Sequence, residues 1–377
     1  MNKLLRKITP EIWQIIFLFL AWRVGLFIVA SFGRFGLPHY PGIVFPQDLH
    51  PILSMWFPYD SDWFIRIAKE GYSFSPFSMA FFPFWPFLIW IFSKILFFVN
   101  IKIIALALAN IFTLLACIVF YLLVKDEYDK TVAYRTVKYF LFFPMSLFLA
   151  APYSEPIFIL LVLLSFYFLR KNQFILSTLS AIAAAAARLV GSFLFIPLII
   201  EAIKQKEIHR PWPKILFLLL VPLGLLAYML YLKLTVNDFF GFLHAYQNPA
   251  WDKTTNLAAF SQLWQNIKTI ITFHFLKGGQ TINVFLTFGY LLLALILVIN
   301  YKKIRLSYLV YSLLVMFIPL FSGSLTSINR YILPVFPFFI ILGIYGRHRW
   351  FDEFITAVFL LLLGLFTAMF VNGYWIG

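Results

Sequence analysis

The chain has 377 residues, of which 62% are hydrophobic and only 12% are charged, with a net charge of +15. A soluble domain carries about 25% charged residues, and apolar runs of about 20 residues, which recur here along the whole length, are typical of transmembrane helices. The composition therefore excludes a soluble globular protein and predicts an all-α polytopic membrane protein. The positive charge does not indicate a nucleic-acid partner, because Lys and Arg lie in short clusters between apolar runs, as loop charges do.

The single cysteine and the absence of phosphate-binding motifs exclude several kinds of site. The single cysteine, Cys117, excludes an intrachain disulfide, and no Cys/His spacing typical of a metal site is present. No P-loop or other glycine-rich phosphate fingerprint is found, which argues against a nucleotide substrate. We expect no cofactor, and leave open a divalent metal held by paired carboxylates. No signal-peptide cleavage site follows the basic N-terminal residues, so the first apolar run is predicted to remain as an anchor.

The apolar runs predict about eleven transmembrane spans, in chain order Trp13–Ser31, Ile103–Val124, Phe140–Ala151, Ile157–Leu169, Phe174–Ala187, Val190–Ile200, Ile215–Leu234, Thr281–Ile299, Tyr308–Phe321, Tyr331–Tyr345 and Phe354–Val371. More than half of the Lys and Arg residues then fall in loops on one side, which the positive-inside rule makes cytoplasmic. The run Phe81–Val99 is predicted to lie re-entrant or flat on the outer face. Pro83 and Pro86 interrupt its start, and a crossing there would place every later basic cluster outside.

This topology predicts one transmembrane domain over residues 1–377, with two large extracytoplasmic loops. The first loop covers residues 32–100 and contains short amphipathic or re-entrant segments, and the second covers residues 235–280. Loops of this length are uncommon in compact domains and are usually functional. We expect a multi-pass protein of the bacterial or archaeal cell membrane, with its active site facing outside. In a eukaryote the expected location is the endoplasmic reticulum membrane.

The stretch Pro58–Pro86 contains a pair of carboxylates, Asp60 and Asp62, between long apolar segments. The apolar spacing after this pair predicts a short amphipathic helix that ends at Gly71. Carboxylates are favoured at the N-terminus of a helix, where the dipole is positive. The pair could therefore serve only as a helix cap, or it could supply a fixed catalytic carboxylate.

The threading places further ionisable residues at the outer face, among them Glu155, Arg188, His244 and Arg330, and the loop that contains His244 also contains Trp251. Ionisable residues at membrane depth are costly, and each is a functional hypothesis by default. A structural alternative exists for each: a helix-start acid for Glu155, snorkelling or span-edge cations for the arginines, a hydrogen-bonded spectator for His244, and an interfacial aromatic belt for Trp251.

Carboxylates, two arginines and aromatic side chains at a membrane surface suit transfer of a sugar from a lipid-phosphate donor. Arg188 and Arg330 would bind the phosphate bidentately, because the guanidinium fork matches its oxygens. A carboxylate would accept the proton of the acceptor hydroxyl, and direct attack by that hydroxyl would invert the anomeric centre. The expected partners are a lipid-phosphate-linked sugar, a lipid or glycan acceptor and membrane lipids, with no nucleic acid.

Several motifs, in one order along the chain, resemble those of the PIG-V family of mannosyltransferases in the GT-C superfamily. They are Tyr59-Asp60, Ile67–Tyr72, Ala80–Pro86, Ala151–Glu155, Arg188–Gly191, Phe242–Ala245 with Trp251, and Ser327–Phe339. Tyr59 stands where the family has tryptophan, and short loops resemble the prokaryotic relatives. The resemblance implies a GT-C fold, a polyprenyl- or dolichyl-phosphate mannose donor, and Asp60 as the catalytic acid/base residue. From their positions and chemistry we expect the following residues to bind substrate: Asp62, Glu155, Arg188, His244, Trp251, Arg330 and Tyr331.

Two other classes of protein share some of these features. A transporter or flippase of lipid-linked sugars would have the same arginines and aromatic residues, but it would be expected to show internal repeats, and none of fixed period is found. A non-catalytic subunit of a membrane glycosylation complex would not need the pair Asp60 and Asp62. Replacement of Asp60 separates these alternatives from an enzyme.

Overall fold

The computed structural model of the protein describes residues 9–205, 211–247, 258–272, 281–322, 324–325 and 327–376. Regular structure in these ranges is helical and includes no strand, which confirms the all-α prediction. The α-helices are α1 Pro10–Gly36, α2 Pro51–Ser54, α3 Asp60–Glu70, α4 Phe84–Ile95, α5 Ile101–Lys125, α6 Lys130–Phe142, α7 Glu155–Arg170, α8 Phe174–Ala187, α9 Phe195–Lys204, α10 Pro211–Leu218, α11 Leu223–Val236, α12 Gly241–His244, α13 Ala258–Ile271, α14 Thr281–Ile299, α15 Leu306–Phe317, α16 Ile328–Tyr331, α17 Phe336–Tyr345 and α18 Arg349–Phe370.

The fold consists of two compact units. Unit 1 is formed by Met1–Ile65, Trp85–Tyr167 and Phe339–Ile376, and unit 2 is formed by Arg66–Phe84 and Phe168–Phe338. Unit 1 therefore contains α1, α2, α5, α6 and α18, and unit 2 contains α8 to α16. The unit boundaries fall inside α3, α4, α7 and α17.

Among the residues that the structure describes, four apolar segments are long enough to cross a membrane, and they identify a membrane protein by length and composition. They are Pro10–Gly36, Ile101–Lys125, Lys214–Val236 and Arg349–Phe370, with 22 to 27 residues each. At 1.5 Å per residue the shortest of them is about 33 Å long, against a hydrocarbon core of about 30 Å. The remaining spans of the predicted eleven correspond to shorter or interrupted helices, so the total number of crossings remains a prediction.

The segment predicted to lie at the outer face, Phe81–Val99, forms the short helix α4. Its 12 residues span about 18 Å, which is less than the thickness of the hydrocarbon core. The helix begins at Phe84, one residue after Pro83, in agreement with the prediction that proline interrupts the start of this run. The length therefore favours the prediction that this segment does not cross the membrane.

In unit 1 the predicted span Phe140–Ala151 is not a continuous helix. Helix α6 ends at Phe142, and a 3₁₀-helix follows over Pro144–Leu149, because proline lacks an N–H and forces the preceding Phe143 into an extended conformation. Carbonyl groups in such a break need partners inside a membrane. Thr113 Oγ1 donates to the carbonyl of Leu149 at 2.9 Å, so a side chain of α5 satisfies part of the break.

Proline also interrupts predicted spans in unit 2. Residues 219–222 form a turn that ends at Pro222 and separates α10 from α11 within Ile215–Leu234. In Tyr331–Tyr345 the break lies at Pro334, whose carbonyl accepts a hydrogen bond from Tyr311 Oη at 2.9 Å. Hydrophobic side chains continue through both breaks, and hydropathy alone therefore predicts one helix where the backbone forms two.

The second half of α3 and the residues after it are held in unit 2 by buried tyrosines of α11 and their neighbours. Tyr228 Oη donates to the carbonyl of Met79 at 2.8 Å, and Tyr72 Oη donates to the carbonyl of Phe81 at 2.6 Å. The rings of Tyr72 and Tyr228 lie 5.5 Å apart and form part of one buried apolar cluster. These contacts explain the course of the chain between α3 and α4. Gly71 turns the backbone so that the side chain of Tyr72 reaches this cluster.

We expect Gly71→Ala to lower the free energy of unfolding by about 1–2 kcal/mol, because Gly71 has φ +75° and an L-residue is strained in that region. The nearest atom to an added Cβ would be Tyr231 Oη at 3.8 Å, so the effect would come from the backbone and not from a clash. Denaturant unfolding in detergent micelles measures it. The matched control is Gly364→Ala in α18, where nothing lies within 4 Å of the new Cβ and a small gain in stability is expected. Equal effects at the two positions would contradict the prediction.

Candidate active site

The paired carboxylates Asp60 and Asp62 lie in the first turn of α3, on the part of the helix that belongs to unit 1. The structure confirms the helix that the sequence predicted over this stretch, from Asp60 to Glu70. Asp60 is partly buried, whereas Asp62 is exposed, and the fully buried Ser61 lies between them. A carboxylate that is partly buried at a helix N-terminus is fixed in position and favoured by the helix dipole.

Tyr59, directly before Asp60, has an unusual backbone conformation. Its φ is +56°, a left-handed value that is rare for a bulky side chain and that costs about 1–3 kcal/mol. Its hydroxyl donates a hydrogen bond to the carbonyl of Gly373, and its ring packs edge-on against that of Trp375 at 4.8 Å. Burial raises the pKa of Tyr59 to about 12, so the hydroxyl remains protonated and able to donate at neutral pH. These contacts hold the left-handed turn that leads into Asp60.

Glu155 is the first residue of α7 and is buried in unit 1. The segment before it is bound to two other motifs of the sequence. Tyr153 Oη donates to the carbonyl of Pro58 at 2.9 Å, and Trp85 Nε1 donates to the carbonyl of Pro152 at 3.2 Å. The structure thus brings together three segments that are far apart in sequence: the turn before α3, the start of α4 and the break before α7.

The segment Val371–Ile376 also packs in this part of unit 1. None of its residues was predicted from the sequence to belong to the site. Asn372 is fully buried; its Nδ2 donates to the carbonyl of Gly33 at 2.8 Å, and its Oδ1 lies 2.6 Å from His39 Nδ1. Gly373 has φ +80°, and an added Cβ would lie 2.7 Å from Ile43. The short run of Asn, Gly and Trp after an apolar helix is the only signal in the sequence, and it does not reveal which segment these residues contact.

In unit 2 the two predicted phosphate-binding arginines lie beside one aromatic ring. Arg188 Cζ is 5.3 Å and Arg330 Cζ is 5.5 Å from the ring centroid of Tyr331. Arg188 follows α8 in an extended conformation, and Arg330 is buried in the short helix α16. The amide Nδ2 of the buried Asn329 makes no hydrogen bond within the described part of the chain. Two guanidinium groups on one ring concentrate positive charge and N–H donors where a phosphate could bind, and Asn329 directly precedes Arg330 in the sequence.

His244 is paired with Asp238, which was not predicted from the sequence as a site residue. Its Nδ1 lies 2.8 Å from Asp238 Oδ2, and Asp238 Oδ1 accepts a hydrogen bond from the N–H of Phe240 at 3.1 Å. A carboxylate at Nδ1 orients an imidazole and leaves Nε2 for another group. His244 is exposed and lies in unit 2, so this pair faces solvent. The predicted site residue Trp251 lies outside the described residues.

The predicted site residues therefore divide between the two units. The carboxylates Asp60, Asp62 and Glu155 belong to unit 1, while Arg188, His244, Arg330 and Tyr331 belong to unit 2. Within the ranges that the structure covers, no group of three or more His, Cys, Asp or Glu side chains is placed to hold a metal ion.

Helices of membrane-spanning length identify a membrane protein. Within unit 1 a carboxylate pair begins a helix, and within unit 2 two arginines lie beside one aromatic ring, where an anionic group could bind. The sequence matches the profile of the mannosyltransferase (PIG-V) family over residues 43–245, more than half of the chain. The protein belongs to this family, as the motifs of the sequence predicted. No curated protein sequence matches the chain.

A solved structure with a similar course of the chain is that of the Archaeoglobus fulgidus oligosaccharyltransferase, tethered with an acceptor peptide through a disulfide bond. The two chains are 13% identical, with a TM-score of 0.44. The similarity covers 95% of this chain and 55% of the oligosaccharyltransferase chain, so the protein spans about half of that chain's length.

Proposed function

We propose that the protein is an inverting glycosyltransferase of the GT-C type that transfers mannose from a polyprenyl- or dolichyl-phosphate donor. The acceptor is a hydroxyl group of a lipid-linked or glycan substrate at the extracytoplasmic face of the membrane. The observation that carries the proposal is the family match over residues 43–245, because that range includes Asp60, Glu155, Arg188 and His244. The chemistry of the carboxylates in unit 1 and of the arginines in unit 2 fits the roles that this reaction requires.

Asp60 is the proposed general base. The acceptor hydroxyl oxygen attacks the anomeric carbon of the donor, and Asp60 accepts the hydroxyl proton as the new glycosidic bond forms. The bond between the anomeric carbon and the phosphate oxygen breaks, and the lipid phosphate leaves with the bonding electrons. A single displacement inverts the configuration at the anomeric carbon. Asp62, which is exposed in the first turn of the same helix, binds the acceptor or orients Asp60.

Arg188 and Arg330 are the proposed ligands of the donor phosphate. Negative charge grows on the phosphate as it leaves, and fixed N–H donors directed at that charge stabilise the transition state. Tyr331 keeps both guanidinium groups in place, since each lies over its ring. Asn329, which directly precedes Arg330 in the sequence, is a candidate for a further hydrogen-bond donor to the phosphate, because its Nδ2 is buried and has no hydrogen-bond partner among the described residues.

The remaining predicted residues have supporting roles in this proposal. Glu155 holds the break before α7, where Tyr153 binds the turn that precedes Asp60. His244, oriented by Asp238, binds a hydroxyl of the sugar or the acceptor through Nε2. Trp251 is proposed to stack on a sugar ring, as aromatic side chains near carbohydrate commonly do.

We expect Tyr59→Phe to lower kcat for sugar transfer about 10-fold with the KM for the donor unchanged, because loss of one hydrogen bond of about 1 kcal/mol loosens the turn before Asp60. The hydroxyl acts through Asp60 and touches no substrate, so binding of the donor stays the same. Steady-state kinetics with purified protein measures both constants. The matched control is Tyr374→Phe, which keeps the ring that packs against Tyr40 in the same C-terminal segment and should leave kcat unchanged. A rise in KM with normal kcat would contradict the positioning role.

The proposed function is tested by transfer of radiolabelled mannose from polyprenyl-phosphate-mannose, with purified protein in detergent and a membrane glycolipid extract as acceptor. Wild-type protein should form a labelled glycolipid, and NMR of the product should show an inverted anomeric configuration relative to the donor. Polyprenyl-phosphate-glucose serves as the parallel donor. Transfer of glucose but not mannose would contradict the identity of the sugar, and absence of transfer from both donors would contradict the proposed reaction.

A further inference from the structure

Arg23 lies in the middle of α1, a helix of membrane-spanning length. It is about halfway between the charged residues near the two ends of the helix, Glu11 and Arg34, and roughly 17 Å along the axis from each. Glu11 is paired with Lys130, and Arg34 contacts His39 and the ring of Phe45 at the other end. A charged side chain at this depth is costly and usually faces a functional site.

The guanidinium of Arg23 stacks on a buried tryptophan of unit 1. Arg23 Cζ lies 4.3 Å from the ring centroid of Trp56, which is fully buried. Arg23 Nη1 and Trp56 Nε1 are both buried, and neither makes a hydrogen bond to any residue that the structure describes. No carboxylate of the described ranges lies within ion-pair distance of Arg23. Trp22, the neighbour of Arg23, does have an acceptor, since its Nε1 donates to Ser146 Oγ at 3.2 Å.

Two adjoining donors without an acceptor favour an anionic ligand. Stacking occupies the face of the guanidinium and leaves its in-plane N–H groups for a bidentate contact. The cation–π contact offsets only part of the cost of a buried charge, and a counter-ion would supply the remainder. A phosphate group has enough oxygens to accept from both the guanidinium edge and the indole N–H. Local thinning of the bilayer around a charged residue brings lipid phosphate groups toward it, so the phosphate of a membrane lipid is the anion that can reach Arg23.

We propose that Arg23 and Trp56 form a binding site for the phosphate group of a membrane lipid, in addition to the proposed donor-phosphate ligands Arg188 and Arg330. Trp56 lies in the buried segment Met55–Pro58 that leads into α3, so the site adjoins in sequence the helix that carries Asp60. The inference concerns binding and goes beyond the transfer reaction. It therefore stands or falls independently of sugar transfer.

The test measures lipid affinity by native mass spectrometry of purified protein in detergent. The probes are undecaprenyl phosphate, phosphatidylglycerol, and the phosphate-free alcohol undecaprenol. All proteins carry Arg330→Gln, so that the proposed donor site does not contribute. We expect Arg23→Met to weaken binding of a phosphate-bearing lipid about 10- to 100-fold, and Trp56→Phe to weaken it about 10-fold while keeping an aromatic ring. Arg23→Lys keeps the charge and should fall between wild type and Arg23→Met.

The control variant is Arg349→Met, since the side chain of Arg349 is 90% exposed and is paired with Glu353 on the surface of α18. Its lipid affinity should not change. Ligand-free Arg23→Met should also unfold at a temperature no lower than the parent protein, because the substitution removes a buried charge without a counter-ion. Preference for undecaprenyl phosphate would identify an isoprenoid ligand, and preference for phosphatidylglycerol would identify a glycerophospholipid. Equal binding of undecaprenol, or unchanged affinity of Arg23→Met with a lowered unfolding temperature, would overturn the proposal.

Discussion

Asp60→Asn is expected to reduce kcat for mannose transfer by about 10²- to 10⁴-fold, the usual contribution of a general base. Asparagine has almost the same shape as aspartate, so it should begin α3 equally well, and the amide cannot accept the proton of the acceptor hydroxyl. The unfolding temperature and the KM for the lipid-linked donor should remain unchanged. Steady-state transfer kinetics and thermal unfolding of the same preparation measure these quantities.

Asp62→Asn is the matched control for this experiment, because Asp62 is exposed in the same helical turn. We expect it to raise the KM for the acceptor and to change kcat by less than about 10-fold, since removal of an exposed carboxylate affects only binding. Normal turnover of Asp60→Asn would remove Asp60 from the mechanism, and a larger effect at Asp62 would exchange the roles of the two carboxylates. Absence of transfer by the wild-type protein itself would favour a flippase or a non-catalytic subunit.

Arg330→Gln is expected to lower kcat/KM for the donor by about 10²- to 10³-fold, the effect of removing one donor that stabilises transition-state charge. Arg330→Lys keeps the charge but loses the bidentate fork, and we expect a smaller loss of about 10-fold. Because Arg330 is buried, the unfolding temperature of each variant is measured alongside its kinetics.

Arg349→Gln is the control arginine for these kinetics, since its exposed side chain pairs with Glu353 on the surface of α18. It should leave kcat/KM at the wild-type value. The phosphate role of Arg330 would be contradicted if Arg330→Gln lost stability in proportion to activity, or if Arg330→Lys were as inactive as Arg330→Gln. In both cases Arg330 would act by packing, through its contact with Tyr331.

Local patterns predicted the helices whose ends depend on nearby residues. Helix α3 and its end at Gly71 follow from the spacing of apolar residues and from a glycine with a left-handed backbone. Helices α8 and α14 have the bounds that hydropathy predicted, Phe174–Ala187 and Thr281–Ile299. In these segments no proline lies inside the apolar run, so hydropathy and backbone hydrogen bonding agree.

Hydropathy did not predict the breaks in the backbone where apolar composition continues through a proline. The run Phe140–Ala151 is apolar throughout, but Pro144 ends the helix, and the broken segment is stable because Thr113 supplies a hydrogen bond from another helix. Hydropathy describes the surroundings of side chains and contains no information about such a contact. A proline in an apolar run is the signal that could have indicated the break.

Candidate site residues were visible in the sequence where a polar side chain interrupts an apolar run, as for Glu155 and Arg330, and the structure shows that both of these side chains are buried. Their partners were not predictable, because tertiary contacts select them. Tyr59 contacts Gly373 and Trp375, and the sequence around the latter two carries no polar signature of a site. Asp238 lies only six residues before His244 in the sequence. This short spacing is a signal from which the pair could have been predicted.

The hydrogen bond from Tyr59 to Gly373 joins residues 314 positions apart, and this separation determines when the turn before Asp60 can form during synthesis. At about 5–20 residues per second, roughly 15–60 s pass between translation of the two residues. Throughout that interval the nascent chain already contains α1 and α3 but lacks the segment that holds Tyr59 in its left-handed conformation. The hydrogen bond that holds the turn before Asp60 can therefore form only after α18 has been made.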